Sequence, residues 1–192
     1  MSTPRITGHR GCGGGFAFCP LALLQTRRVA SRGKADIMEE ARRIAATSVR
    51  GKVPAWAGYI IVIGGTSANM WRAECAGDAE NCARASCLFP GVCPSFRVDQ
   101  GAGAGMLREA ARQEGVRHVR VASGVRYDLA LKDDAALKAY TQEFTGGQLK
   151  IAPEHIADDV LRLMRKPSLH VFEEFLGRFS RLSGAAGKEQ YV

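Results

Sequence analysis

The chain has 192 residues, 46% of them apolar and 24% charged, enough for one α/β domain with a core and too few for two. No stretch approaches the roughly 18 uninterrupted apolar residues of a membrane span, and no apolar run follows the N-terminus to make a signal peptide, so a cytoplasmic location without a membrane partner is expected. The formal charge of +8 is spread over Arg27/Arg28, Arg42/Arg43, Arg117/Arg120 and Arg162/Arg165/Lys166, with no basic block or interleaved aromatics, which reads as a solvated surface rather than a nucleic-acid partner.

In chain order, Arg5–Arg10 reads as a short first strand and Gly11 to Gly15 as a glycine-rich turn. Ala35 to Ala46 has Ile37, Ala41, Ile44 and Ala45 at helical spacing. Within Trp56–Ile63, the run Tyr59 to Ile63 has the β-branched continuity of a strand buried on both faces, closed by Gly64-Gly65. A long structured loop follows, through Pro94. Helices are then predicted at Gly105–Gln113, Ala135–Phe144, Ala157–Met164 and His170–Leu182, and strands at His118–Ala122 and Gly147–Ala152. Lys188 to Val192 opens a further strand. This alternation predicts an α/β fold with about four βα units and a parallel sheet, one domain over residues 1–192 with a Cys-rich insertion at about 70–97.

Six cysteines without a secretory signal point to thiolate chemistry or burial more than to disulfides. Cys12 and Cys19 lie near the start. Cys75, Cys82, Cys87 and Cys93 follow one another as C-x6-C-x4-C-x5-C. Four thiolates are enough for a tetrahedral zinc or an accessory iron–sulfur cluster; two disulfides or four packed thiols are the structural alternatives. Arg126 and Asp128 read either as substrate-orienting groups or as an internal ion pair. Glu154-His155 reads either as an acid–base pair or as the approach to a helix N-terminus. Phe172, Phe175 and Phe179 recur at helical spacing and predict core packing.

The segment Arg10-Gly-Cys-Gly-Gly-Gly-Phe-Ala-Phe-Cys-Pro20 resembles the cluster loop of radical S-adenosylmethionine (SAM) enzymes, C-x3-C-x-aromatic-C, with Cys12 first, Phe18 as the aromatic and Cys19 last. Gly64-Gly-Thr-Ser-Ala-Asn-Met-Trp71, the four clustered cysteines, Ala122-Ser-Gly-Val-Arg-Tyr-Asp128, Leu149-Lys-Ile-Ala-Pro-Glu-His155, Ser31-Arg32 and Gly187-Lys-Glu-Gln-Tyr191 are similar, in order, to signatures of the YgiQ family of radical SAM proteins.

The resemblance implies a truncated, partial radical SAM (β/α) barrel. It also implies a 4Fe–4S cluster on the loop thiolates, whose open iron takes SAM, with an electron donor and an unnamed substrate as partners. Metal ligands would be Cys12 and Cys19. SAM contacts would come from Phe18, from Gly64 and Gly65 after the second strand, and from Ser123 and Glu154 at later strand ends. The loop departs from the pattern at Phe16, which stands in the middle cysteine's place, with His9 the nearby imidazole. Val62 and Thr66 depart where an acid and a proline are usual. Two other readings stay open: a non-catalytic domain binding zinc or an accessory cluster through Cys75, Cys82, Cys87 and Cys93, and an inactive gene fragment.

Overall fold

The computed structural model describes residues 4–49, 58–60 and 62–192. The first strand β1 (Arg5–Thr7) runs parallel to β5 (Val62–Gly64), with Ile6 opposite Ile63. Immediately before β5, β4 (Tyr59–Ile60) runs parallel to β8 (His118–Val119), with Ile60 opposite Val119. The chain around 59–64 therefore lies between the first strand and the third. Beyond it, the Val121 amide donates to the Phe144 carbonyl (3.0 Å) and the Val125 amide to that of Lys150 (3.0 Å). Gln148 forms a parallel bridge with Tyr191. Parallel pairings thus join residues 5–7 to 62–64, 59–60 to 118–119, and 148 to 191.

Helices return the chain between these strands and cover them. After the short α1 (Leu21–Leu24), α2 (Lys34–Val49) precedes β4, α3 (Gln100–Ala111) precedes β8, the short α4 (Tyr127–Ala130) follows β8, and α7 (Leu169–Ala185) precedes Tyr191. Their apolar stripes close one core: Ile37 and Ala41 from α2, Leu107 and Ala110 from α3, and Phe175 and Phe179 from α7 pack with Ile6, Ile60, Ile63, Val119 and Leu149. Each such aliphatic side chain removed from water contributes about 1.5–3 kcal/mol, which is why these short strands persist with few ladder bonds. Phe175 and Phe179 stack at 6.0 Å and Tyr127 meets Phe172 edge-on, as the phenylalanine spacing predicted.

Several predicted elements differ in extent or direction. Arg5–Arg10 is not one strand. Gly8 gives its amide to the Gly64 carbonyl (2.7 Å) and its carbonyl to the Arg32 amide (2.8 Å). There the chain leaves β5 and becomes β2 (His9–Arg10), antiparallel to β3 (Ala30–Ser31). The regular pairings are two parallel and two antiparallel two-stranded sheets, so the architecture is mixed α/β rather than one parallel sheet. Gly147–Ala152 and Lys188–Val192 meet only through the Gln148–Tyr191 bridge. Helix α3 starts five residues before Gly105 because Asp99 caps it, accepting from the Ala102 amide at 2.7 Å. The predicted helix 135–144 is α5 (Asp134–Ala139) continued by a π segment, Tyr140–Phe144, where the Thr145 hydroxyl donates to the Tyr140 carbonyl. Trp56 and Ile61 of the second predicted strand lie outside the described residues. No helix among the described residues is long and apolar enough to cross a membrane.

The Cys-rich stretch has its ends tied by a hairpin of β6 (Glu74–Cys75) and β7 (Phe96–Arg97), which places Cys75 opposite Phe96. Between them the chain is irregular. It is held from inside by Arg84, whose guanidinium donates to the carbonyls of Ser86, Phe89 and Gly91, each at 3.1 Å.

Candidate functional site

The glycine-rich turn is clamped from two sides. The Cys87 amide donates to the Gly13 carbonyl (2.9 Å) and the Ser86 hydroxyl to that of Gly14 (2.5 Å). From the other side, Arg165 donates to the Gly15 carbonyl (3.2 Å) and the Ala17 amide to the Met164 carbonyl (3.2 Å). Gly15 has φ +55°, and a Cβ there would lie 2.1 Å from the Ala85 carbonyl oxygen, so only glycine fits beneath the Cys-rich segment.

Within this turn Cys12 is buried and Cys19 half-buried. The Gly14 amide points at the Cys12 sulfur at 3.4 Å. Phe16, in the middle cysteine's place, lies under two cations: its ring centroid is 4.6 Å from the Arg126 guanidinium carbon and 4.4 Å from the Lys166 ammonium. Phe18 stacks on Phe16 at 5.6 Å, nearly parallel, and is half exposed. An aromatic face attracts cations, and more so where water is excluded.

Both cations are buried. Arg126 is gripped by Asp128 through two parallel bonds, Nε–Oδ1 at 2.9 Å and Nη2–Oδ2 at 2.6 Å, which is the internal ion pair of the two sequence alternatives. Burial opposes the Arg126 charge, and Asp128 more than offsets it, holding its pKa above the ordinary arginine value. Lys166 gives a hydrogen bond to the Ala152 carbonyl (2.5 Å) and lies 3.6 Å from Glu154. Burial and then the Arg126 charge push its pKa down, with Glu154 acting the other way. The sequence placed Lys166 among solvated basic residues; the structure buries it. Arg165 adopts a left-handed backbone (φ +59°) at the end of α6 (Asp158–Met164), and the Lys166 amide turns back to the Leu161 carbonyl. The Pro167 that follows was the available signal for such an abrupt stop.

Around this turn lie the other predicted positions. A Cβ on Gly64 would meet the Ser123 hydroxyl at 2.8 Å, and one on Gly65 would meet the His9 ring at 2.6 Å, so the glycine pair allows both side chains to lie against the backbone. Neither His9 ring nitrogen makes a hydrogen bond within the described residues, and the same holds for Ser123 Oγ and Arg126 Nη1. Burial pushes His9 down to about 4, with the nearby Ser67 backbone offsetting this in part. Asn69, unremarked in the sequence, ties the second strand's loop to the third's: its amide nitrogen donates to the Arg126 carbonyl (2.9 Å) and its oxygen accepts from the Arg126 amide (2.9 Å). Glu154 has a left-handed φ of +75°. His155 Nδ1 accepts from the Ala157 amide (2.9 Å) just before α6, so it takes the helix-approach role.

Cys75, Cys82 and Cys87 line a separate open cavity of about 790 Å³ on the outer side of the Cys-rich segment. All six thiols are free. Among the described residues, no three His, Cys, Asp or Glu side chains stand at metal-holding distances.

The geometry defines a mixed α/β protein whose glycine-rich cysteine turn is locked beneath a Cys-rich segment and closed by an aromatic ring between two buried cations. Its homologues are UPF0313 proteins, the YgiQ family. The chain is 42% identical to a UPF0313 protein of Vibrio parahaemolyticus over 95% of its own length and 23% of that protein's. It is 36% identical to one of Methanocella arvoryzae over 97% of its own length and 31% of that protein's. A Shewanella oneidensis UPF0313 protein is 37% identical over the whole chain and 24% of its own length. The chain thus spans about a quarter to a third of the curated relatives it matches. No protein-family model matches it.

Proposed function

We propose that the chain is part of a cytoplasmic radical SAM-type barrel in which the cluster loop, Arg10–Pro20, has lost cluster binding and is closed by Phe16. The observation that carries this reading is the Phe16 ring, at the motif's middle-cysteine position, lying against Arg126 and Lys166. Supporting it are the parallel pairings β1–β5 and β4–β8 and the glycine-rich turn that follows β1 and β2.

A 4Fe–4S cluster of this type needs three protein thiolates. The loop offers Cys12 and Cys19, and a phenyl ring has no lone pair to give iron. His9 is neutral at physiological pH, but its ring packs on the Gly65 backbone within β2, before the turn. The donor set therefore does not fit the cluster. The remaining SAM-side positions, Phe18, Gly64, Gly65, Ser123 and Glu154, are assigned on this reading as an inherited binding wall, in which Ser123 Oγ keeps an unused donor.

Electron paramagnetic resonance after anaerobic reconstitution and reduction tests the reading. Phe16→Cys is expected to give a reduced-cluster signal that shifts when SAM is added, and the native chain none. A SAM-sensitive signal from the native chain would overturn it.

A further inference from the structure

We propose that Cys75, Cys82, Cys87 and Cys93 form a structural site for a thiophilic divalent ion, Zn²⁺, which staples the Cys-rich segment onto the glycine-rich turn. The hairpin of β6 and β7 brings the two ends of the cysteine run together. Cys75 stands opposite Phe96, and the Phe96 amide donates to the Cys93 carbonyl (2.9 Å). The Cys93 amide in turn donates to the Cys87 carbonyl (2.7 Å). Cys82 then completes the wall of the 790 Å³ cavity that Cys75 and Cys87 line. Cys93 is not in that wall but is joined to it through its backbone bonds to Cys87 and Phe96.

Structural zinc is tetrahedral and fully enclosed by protein ligands, and four cysteines make a complete set with no open position. Four thiolates on one divalent ion leave two surplus negative charges; the cavity wall carries Arg27 and Arg28 beside Glu74, Asp78 and Glu80, with Arg28 paired to Glu80 at 3.2 Å. The segment between β6 and β7 has no regular structure, and Arg84 is its main internal tie. An irregular segment of this length gains most from a metal staple, and such sites form as the ion binds rather than beforehand. That is consistent with thiols grouped around a cavity yet short of ligating distance from one another in the described residues. The consequence reaches the turn, because Cys87 and Ser86 are the residues that clamp Gly13 and Gly14.

The test is anaerobic titration of the full chain with Co²⁺ as the spectroscopic stand-in. The expected result is saturation at one equivalent, with thiolate charge-transfer and tetrahedral ligand-field bands that Zn²⁺ abolishes. These bands survive in Cys12→Ser/Cys19→Ser and disappear in Cys82→Ser/Cys87→Ser. If the second variant does not fold, alkylation of the native chain with and without Zn²⁺, read by mass spectrometry, supplies the same answer: Cys75, Cys82, Cys87 and Cys93 become protected while Cys12 and Cys19 react as before. Protection of Cys12 and Cys19 instead, or of none, overturns the proposal, as does a disulfide formed within the group in place of metal uptake.

Discussion

Phe16 is held by charge more than by enclosure. It is only partly buried, yet two buried cations lie against its face, an arrangement worth roughly 0.5–2 kcal/mol for each cation. The resemblance to the cluster loop puts Phe16 in the middle cysteine's place but does not say what the ring does there, because Arg126 and Lys166 arrive from 110 and 150 residues away. His9 carries the residue-scale prediction. Its folded pKa of about 4 lies below the unfolded value of 6.5, so between these limits the unfolded chain binds more protons and stability rises with pH. Stability is complete above about 6.5 and falls by about 3 kcal/mol as pH drops to 4, then levels. Urea unfolding across this window is expected to show that loss in the native chain and a smaller one in His9→Leu. An equal loss in both assigns the acid sensitivity to other groups.

At the scale of elements, the contact between the glycine-rich turn and the Cys-rich segment is the joint on which the site depends. Gly15→Ala drives a Cβ into the Ala85 carbonyl and strains a left-handed residue, and is expected to destabilise the chain by more than about 1 kcal/mol. Hydrogen exchange gives the finer readout. The Cys87 amide, bonded to Gly13, should lose protection, while the Arg120 amide, bonded to Ile60 in the parallel sheet, keeps it relative to global unfolding. Uniform loss at both sites would mean that the joint is not a separate unit. The helices were legible from sequence because their apolar spacing reports a buried stripe: Ala35–Ala46 lies within Lys34–Val49, and His170–Leu182 within Leu169–Ala185. The turn from β1 into an antiparallel β2, and the β6–β7 hairpin, were not legible. Their pairings are fixed by contacts with Gly64, Arg32 and Ser95 far along the chain, and two-residue strands carry no period.

Across the whole molecule, the α/β alternation read from the sequence is present, with parallel pairings β1–β5 and β4–β8 beside antiparallel β2–β3 and β6–β7 among the described residues. Within that frame Cys12, Cys19 and Phe18 lie on the glycine-rich turn, while Gly64 lies against Ser123 and Gly65 against His9. Of the four later cysteines, Cys75, Cys82 and Cys87 line a cavity shared with Thr26–Val29 and Phe96. The partners of Phe16 were beyond the reach of sequence, since nothing local marks Lys166 as buried. The central claim is that Phe16 has replaced cluster binding, and it is tested most directly by iron and acid-labile sulfide content after anaerobic reconstitution of the native chain and Phe16→Cys side by side. A full cluster complement is expected in the variant and little or none in the native chain; equal loading of both would show that Phe16 does not prevent cluster binding.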